Sequence, residues 1–371
     1  MAREKEGVTA AEAQIKEIEE EISKTKYNKA TQGHIGKLKA KLAVLREKEE
    51  KVRSGGAHGY GYGLKKTGHA TALMVGFPSV GKSSLLNVIT NADSKIGAYD
   101  FTTIDVVPGA LNYNGAQIQI LDLPGLIEGA SSGAGRGKEV LSVARIADLV
   151  LIIASAEKVE KEFEIIKKEL YNANFRLDVN PPDIRFSKKH LGGISIGSAV
   201  KMNKLDTKTI KAIMNEFGIH NADVVIREDC DIDRFIDSLR TNRVYVRSQL
   251  VINKIDLIDE KRQKELEKRF QDAALVSSTE GSGLEELKQR IWERIGLIRI
   301  YLKPAGKDPD MEEPLIMKRG STTLDVMRKV NQKMEKYFKY SRIWGPSAKF
   351  SGQKLGLEHK LEDKDIVELH F

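Results

Sequence analysis

The sequence predicts a multidomain α/β protein organised around a phosphate-binding loop that joins a strand to a helix. A length of 371 residues suits two or three domains, and the 40% apolar content can fill their cores. Residues 76–83 read Gly-Phe-Pro-Ser-Val-Gly-Lys-Ser and match the pattern G-x-x-x-x-G-K-[ST]. An apolar run at 70–75 precedes them, and a stretch of helical composition at 83–90 follows. Strand, loop and helix in this order are the context that the pattern needs to bind phosphate.

The residues of this loop are expected to contact phosphate through different groups. The glycines let the backbone wrap a phosphate with its N–H groups, and the helix N-terminus adds a favourable dipole. Lys82 is expected to lie on the β- and γ-phosphates, and the Ser83 hydroxyl to bind Mg²⁺. The phosphate-binding candidates are Gly76, Phe77, Pro78, Ser79, Val80, Gly81, Lys82, Ser83 and Ser84.

Two downstream segments supply the remaining candidates for metal binding and catalysis. Asp122 ends an apolar strand, which places its carboxylate to hold Mg²⁺ through water. Gly125 follows and can offer its backbone N–H to a γ-phosphate, while Thr103 is the best candidate for a second hydroxyl on Mg²⁺. The expected metal ligands are therefore Ser83, Thr103 and Asp122, and the expected catalytic residues are Lys82, Thr103 and Gly125. A loop that reaches the metal only when γ-phosphate is present behaves as a switch.

A third motif predicts which base is bound. Residues 253–256 read Asn-Lys-Ile-Asp and follow the apolar strand 248–252. The Asp256 carboxylate can accept hydrogen bonds from N1–H and from the exocyclic amine of guanine, whereas adenine offers no such pair, so the motif favours GTP. Asn253 and Lys254 belong to the same motif. A second apolar strand then leads to Ser277 and Ser278, in a loop expected to touch the guanine O6.

The whole chain divides into three consecutive regions, and the second of them contains an insertion. Residues 1–66 carry two helical stripes of apolar residues, predicting a helical hairpin, and then a Gly-rich linker. Residues 67–296 form the nucleotide-binding domain, interrupted at 156–247 because roughly ninety residues stand where a crossover needs about a dozen. The interruption alternates strand and helix signals and predicts an inserted α+β module. Residues 297–371 show two strands, a helix and further short strands, which predicts a ubiquitin-like β-grasp domain.

Charge and composition limit the setting in which the protein works. The net charge is +8, and residues 24–53 hold ten basic and three acidic side chains, while 328–354 hold eight and one. These stretches are either solvated faces or contacts for a polyanion. No apolar run reaches eighteen residues and no signal-peptide pattern is present, so we expect a cytoplasmic protein with no membrane partner. The single cysteine, Cys230, has acidic neighbours, which indicates a structural role in a reducing compartment.

Together these motifs resemble the developmentally regulated GTP-binding protein (DRG) family, a branch of the Obg-like translation-factor GTPases, over essentially the whole chain. The markers are the loop at 76–83, Tyr-Asp-Phe-Thr-Thr at 99–103, Asp-Leu-Pro-Gly-Leu-Ile-Glu-Gly at 122–129, Arg-Glu-Asp-Cys at 227–230, Trp344-Gly, and Gly-Leu-Glu-His at 356–359. The resemblance implies a P-loop GTPase domain with an inserted S5-domain-2-like module, an N-terminal helix-turn-helix region and a C-terminal TGS domain. It also implies Mg²⁺-dependent hydrolysis of GTP to GDP, association with the ribosome or ribosomal RNA, a dedicated partner protein and an archaeal source.

Leu126 stands where Ras-type GTPases place the glutamine that orients the attacking water. Leucine can neither donate nor accept a hydrogen bond, so we expect slow unaided turnover, on the order of 10⁻³ s⁻¹ or less. Relatives of this apolar type often use K⁺ near the phosphates, ligated by an asparagine in the P-loop; Ser79 occupies that position here. Arg136 is either a cis arginine finger or a solvent-exposed arginine.

Two classes of function remain open. The chain is either a GTP-hydrolysing switch whose GTP form binds the ribosome, or a nucleotide-sensing RNA- or ribosome-binding module in which hydrolysis only resets the state. Stimulation of turnover by ribosomes favours the first, and nucleotide-dependent binding without stimulation favours the second. A nucleic-acid-binding protein with an incidental nucleotide site would require the motif series to be accidental.

Overall fold

The structure, a computed structural model, describes residues 2–53, 68–90, 107–122 and 146–371. The chain forms two compact units, one of residues 1–61 with 174–245 and the other of residues 62–173 with 246–371. The helical hairpin therefore shares a unit with the inserted module. The nucleotide-binding and C-terminal domains share the second unit.

The described residues form helices and strands in alternation. The helices are α1 (Ala2–Lys24), α2 (Gln32–Arg53), α3 (Lys82–Ile89), α4 (Val159–Asn172), α5 (Thr207–Glu216), α6 (Ile232–Leu239), α7 (Glu260–Arg269), α8 (Leu284–Ile295) and α9 (Thr323–Asn331). The strands are β1 (Ala70–Gly76), β2 (Val107–Tyr113), β3 (Ala116–Asp122), β4 (Leu149–Ser155), β5 (Phe175–Leu177), β6 (Ile184–Lys188), β7 (Ile194–Ser198), β8 (Ala222–Ile226), β9 (Val244–Asn253), β10 (Ala274–Leu275), β11 (Leu297–Leu302), β12 (Leu315–Lys318), β13 (Tyr340–Trp344), β14 (Gln353–Leu355) and β15 (Asp365–His370). Two 3₁₀ turns cover Ile255–Leu257 and Gln332–Tyr337.

The central sheet of the second unit has the strand order β10-β9-β4-β1-β3-β2. All neighbours are parallel except the β2–β3 hairpin. Every residue of β4 is buried, which explains its continuous apolar sequence, since such a strand is covered on both faces. The parallel strands β1, β3 and β9 end at Gly76, Asp122 and Asn253, so the predicted site residues share the carboxyl edge of the sheet.

Helix α4 completes the core of this unit. It packs on β4 and β1 and buries Val159, Ile166 and Leu170. The chain therefore completes its crossover helix before it enters the first unit at Asn174, and it leaves that unit after Tyr245. The sequence placed the start of the insertion at residue 156, because no signal separated α4 from the module that follows.

The first unit has a three-stranded sheet, β6-β8-β7, packed against α5 and α6. Helix α2 shares this core through Ile35, Ala40 and Ala43. A Cβ added at Gly36 would lie 2.8 Å from Thr209 Cγ2, so a glycine is needed where α2 approaches α5. The same core holds Cys230, and burial, followed by the nearby Glu228 charge, raises the pKa of its thiol to about 11. The thiol is thus protonated at neutral pH, as expected of a structural cysteine.

A buried cluster of ion pairs joins the segment by which the chain enters the inserted module to the segment by which it leaves. Arg176 in β5 donates to both carboxylate oxygens of Asp237, at 2.5 and 2.8 Å, and Arg243 donates to the same group at 2.5 Å. All three side chains are less than 10% exposed. Because one buried carboxylate holds two guanidinium groups, removing it would leave two buried cations short of a partner.

The C-terminal domain has the strand order β12-β11-β15-β13-β14 with α9 packed on one face. The helix predicted in this domain is α9, which ends at Asn331 and is followed by a 3₁₀ turn. The Asn331 side chain accepts a hydrogen bond from the Lys333 N–H at 3.0 Å, which caps the new turn and interrupts the helix. The predicted α/β fold class, with its P-loop domain and β-grasp tail, is confirmed.

The C-terminal domain is packed into the nucleotide-binding domain. Leu297 and Ile316 belong to the same buried cluster as the strands of the central sheet. The Lys318 amine donates to Asp148 Oδ1 at 2.6 Å, immediately before β4. The tip of the β2–β3 hairpin meets the domain at Gly115, where an added Cβ would lie 2.7 Å from Pro314 Cγ. The C-terminal domain therefore has its own core and also contributes residues to the core of the nucleotide-binding domain.

No helix in the described part of the chain is long and apolar enough to span a membrane.

We expect Gly115→Ala to destabilise the protein more than Gly306→Ala does. Both glycines have left-handed backbones, with φ of +76° and +74°, so alanine strains each by about 1 kcal/mol. Only Gly115 faces a neighbour, because no atom lies within 4 Å of a Cβ built at Gly306. Denaturant midpoints of the two variants measure the difference. Equal losses would show that the hairpin tip does not pack tightly against Pro314.

Candidate functional site

The loop between β1 and α3 has a conformation that its glycines impose. A Cβ at Gly76 would lie 2.5 Å from the carbonyl oxygen of Ile153, and one at Gly81 would lie 2.4 Å from Asn253 Nδ2. Gly81 also has a φ of +90°. Ser79 is left-handed too, with a φ of 62°, which is uncommon for a residue with a side chain and concentrates at functional sites. Glycine at both ends thus permits the close approach of β4 and β9.

Lys82, the first residue of α3, spans this loop. Its amine donates hydrogen bonds to the carbonyl oxygens of Gly76 and Phe77, both at 2.9 Å. These contacts hold the ammonium group against the first two residues of the loop that is predicted to bind phosphate. Ser83 and Ser84 follow and are exposed at the first turn of the helix.

Asp122 has the environment of a metal-binding carboxylate. It is 5% exposed, and its Oδ1 has no hydrogen-bond partner among the described residues. Burial raises the pKa of this carboxyl group, and the nearby Lys82 charge partly offsets that effect. A buried carboxylate oxygen with no donor suits a cation. Mg²⁺ takes most of its ligands from phosphates and water and needs only one or two carboxylates from the protein. Asp122 and Ser83 therefore fit the predicted metal.

Asn253 links the phosphate loop to the base-reading segments. Its side chain is buried, and Nδ2 donates to the Val80 carbonyl at 2.9 Å. Its Oδ1 accepts from the Ser278 backbone N–H at 3.2 Å and from the Ser278 hydroxyl at 2.9 Å. One carboxamide thus joins three segments that are far apart in the sequence. The motif marked Asn253 for the base, but its spacing alone did not reveal this contact with Val80.

Asp256 is held in place by the segment after β10. The Ser277 hydroxyl, which is fully buried, donates to Asp256 Oδ1 at 2.5 Å. The contact of the Ser277 loop with the base stays a prediction, and the Ser277 side chain binds the Asp256 carboxylate. Lys254 has a left-handed backbone, with a φ of 65°, and turns the chain between Asn253 and Asp256. Asp256 itself is exposed, so its remaining oxygen is accessible to a ligand.

The structure brings together the site residues from 76 to 84, Asp122, and the two base-reading segments at the carboxyl edge of the sheet. Thr103 and Gly125 lie outside the described residues, as do Leu126 and Arg136.

Three family models match successive parts of the chain. The model described as "50S ribosome-binding GTPase" matches residues 71–181. A model described as the C-terminal region of that domain matches residues 191–297, and the TGS domain model matches residues 298–370.

Several relatives match almost the whole chain. An uncharacterized GTP-binding protein of Methanocaldococcus jannaschii is 53% identical over 98% of this chain and 93% of its own. Developmentally-regulated G-protein 2 of Arabidopsis thaliana is 42% identical over 96% of this chain and 90% of its own. Developmentally-regulated GTP-binding protein 2 of Bos taurus is 40% identical over 96% of this chain and 98% of its own.

We expect Asp256→Asn to weaken guanine nucleotide binding and to shift preference towards xanthine nucleotides. The amide can donate to the extra carbonyl of xanthine, whereas the carboxylate only accepts. Loss of two charged hydrogen bonds should cost about 2–4 kcal/mol, measured by titration calorimetry with GDP and XDP.

Ser277→Ala is the matched control for this substitution. It should weaken both nucleotides without changing the preference, because it only releases the carboxylate. Unaltered GDP affinity in Asp256→Asn would remove Asp256 from the base pocket.

Proposed function

The chain belongs to the developmentally regulated GTP-binding protein family, and from this premise we propose that it hydrolyses GTP to GDP and phosphate as a molecular switch. The observation that carries the proposal is the bridge made by Asn253, which joins the loop at Val80 to Ser278. A site that only bound phosphate would not need its loop tied to a base-reading segment. The bridge means that recognition of guanine also stabilises the phosphate loop.

Each candidate residue has a separate part in the proposed reaction. Lys82 and the loop N–H groups stabilise charge that develops on the β–γ bridge and the γ-phosphate. Ser83, Asp122 and Thr103 would hold Mg²⁺, which neutralises phosphate charge when it is bound. Gly125 would donate its N–H to the γ-phosphate. Leu126 supplies no proton acceptor, which supports slow intrinsic turnover.

We further propose that the protein works in the cytoplasm and associates with the ribosome or its RNA. The description of the GTPase model, which names ribosome binding, supports this partner. So does the basic stretch 24–53, where Lys37 and Lys41 lie exposed one turn apart on α2. Lys39 contributes less, because its amine is bound to Asp233 at 2.6 Å. A dedicated partner protein remains part of the proposal from the family resemblance.

The alternative function is a nucleotide-sensing RNA- or ribosome-binding module in which hydrolysis only resets the state. GTPase rates with and without ribosomes separate the two. A marked rise in turnover supports the switch enzyme, and nucleotide-dependent pelleting with an unchanged rate supports the sensing module.

We expect Thr103→Ala to slow GTP hydrolysis while leaving GDP affinity nearly unchanged. The proposed contact of the threonine with Mg²⁺ forms only when γ-phosphate is present, so the diphosphate complex loses nothing. Single-turnover hydrolysis and GDP titration measure the two effects. Leu126→Ala is the control, since an apolar residue shapes the site without carrying a proton, and its rate should fall much less. Parent rates in both variants would contradict the assigned switch.

The single-turnover hydrolysis assay also tests whether K⁺ takes part in the reaction. Faster turnover in K⁺ than in Na⁺ is expected if the Ser79 hydroxyl supports a monovalent site. Equal rates would remove K⁺ from the proposal.

We expect the double substitution Lys37→Gln and Lys41→Gln to flatten the salt dependence of ribosome binding. Two lost phosphate contacts should reduce the log–log slope by about 1.4 to 1.8 in total. Glutamine is also a good helix former, so α2 should persist. Sedimentation at several salt concentrations measures the slope.

Lys264→Gln with Lys268→Gln is the matched control, since these exposed lysines have the same spacing on α7. An equal change in both pairs would show that net charge alone, and not the helical hairpin, sets the binding.

A further inference from the structure

One face of the C-terminal sheet is covered by α9. On the opposite face Leu297 of β11 and Ile316 of β12 pack into the nucleotide-binding domain, while β13, β14 and β15 carry aromatic and basic side chains. Buried residues such as Ile298, Ile343 and Val367 alternate along β11, β13 and β15 and pack against α9. Their neighbours must point to the opposite side, because side chains alternate along a strand. We define this outer sheet face by Lys303, Tyr340, Arg342, Trp344, Lys354, Glu368 and His370.

The register brings these side chains into neighbouring rows. Tyr340 lies opposite His370, and Arg342 lies between Glu368 on one side and Lys354 on the other. Tyr340 and Trp344 are two pleats apart on β13, which separates them by about 13 Å with Arg342 midway. Two aromatic rings thus alternate with a cation along a single strand.

The aromatic rings of this face already make stacking and cation–π contacts. Tyr340 and His370 stack with centroids 4.4 Å apart and planes 21° from parallel. The Lys354 amine lies 4.5 Å from the Tyr340 ring centroid, and the Lys303 amine lies 5.2 Å from the Trp344 ring centroid. Tyr340 and Trp344 are half-buried and Lys354 is exposed. A flexible lysine can move off a ring and place its charge on a phosphate when a base takes its place.

The charge of the outer sheet face favours an anion. Glu368 is the acidic member of the face, and it is 4% exposed. Its carboxylate accepts from Lys303 at 2.7 Å and lies 2.5 Å from His370 Nε2, and these partners, with the Lys303 hydrogen bond foremost, lower its pKa. The negative charge is thus balanced within the protein. Arg342 and Lys354 then leave the face cationic.

We propose that the outer sheet face binds single-stranded RNA, with bases stacked at Tyr340 and Trp344 and phosphates bound by Arg342 and Lys354. Rings alternating with cations suit a single strand, because a duplex hides the faces of its bases, while the carboxylate groups of an acidic peptide have no ring faces to stack. The proposal rests on the proposed association with the ribosome, which supplies single-stranded RNA, and it assigns part of that contact to particular residues.

The test uses the full chain and a fluorescein-labelled oligouridine of twelve nucleotides. The protein has two tryptophans, so Trp292→Phe leaves Trp344 as the only indole emitter, and Trp344→Phe leaves Trp292. We expect the RNA to quench emission in Trp292→Phe and not in Trp344→Phe, because Trp292 is buried in the nucleotide-binding domain. Quenching confined to Trp292 would overturn the proposal.

Anisotropy with the same RNA tests the stacking and the charge. Tyr340→Leu should lose affinity by about tenfold or more, the effect of one stacked base, while Tyr340→Phe retains it. Tyr171→Leu, at an exposed tyrosine on α4, is the control and should not change binding. Arg342→Gln with Lys354→Gln should lower the salt slope by about 1.4. Equal affinity in Tyr340→Leu and Tyr340→Phe overturns the stacking assignment.

Two further experiments identify the ligand and distinguish RNA binding by the outer sheet face from the proposed association with the ribosome. Tight binding of heparin or polyglutamate with weak binding of oligouridine would mean a general polyanion or an acidic protein segment, and would overturn the proposal. Tyr340→Leu could lose oligouridine binding and still sediment with ribosomes as the parent does. This result would contradict the assignment of the outer sheet face to ribosome binding, while the GTPase proposal would stand. If the unsubstituted protein binds oligouridine but does not sediment with ribosomes, the ribosome is instead removed from the proposed function.

Discussion

The hydrogen bond from Asn253 Nδ2 to the Val80 carbonyl is the contact on which the organisation of the nucleotide site depends. It is formed in a buried position, where the low dielectric strengthens it and where leaving either group unpaired would be costly. Gly81 makes the approach possible, because any side chain there would collide with the same amide. The geometry of the phosphate loop and that of the base-reading segment are thus set by one contact.

The β2–β3 hairpin connects the nucleotide site to the C-terminal domain. The strand β3 ends at Asp122, and the tip of the hairpin at Gly115 packs against Pro314 of the C-terminal domain. Arg299 adds to this contact, since its guanidinium group donates to Asn114 at 3.3 Å and lies 5.7 Å from the Trp292 ring centroid. Deleting residues 297–371 would therefore expose core surface of the nucleotide-binding domain. Surface substitutions are the cleaner way to ask what the C-terminal domain does.

The sequence predicted the parts of the site that depend on local backbone chemistry. The loop at 76–83, the strand-terminal Asp122 and the Asn253–Asp256 motif each need particular residues at fixed spacing, so the sequence alone marks them as candidates, and the structure places them at one edge of the sheet. Contacts between distant segments were not predictable in this way. The hydroxyl of Ser277 on Asp256, and the pair of arginines on Asp237, depend on the fold bringing remote residues together. Periodicity also could not show that α4 belongs to the central sheet, since an amphipathic helix fits either domain.

The location of the basic residues matters more than their number. In the stretch 24–53 the charges of Lys24, Lys39 and Arg46 lie within ion-pair distance of carboxylates, so the surplus counted from the sequence overstates the positive potential there. In the C-terminal stretch Arg328 is paired with Glu335, while Lys354 lies over an aromatic ring instead of a carboxylate. An ammonium group held by a ring keeps its full charge and can be displaced at little cost, whereas one held by a carboxylate is neutralised. The outer sheet face therefore retains a concentrated positive charge next to rings, a combination that the net charge of +8 does not reveal.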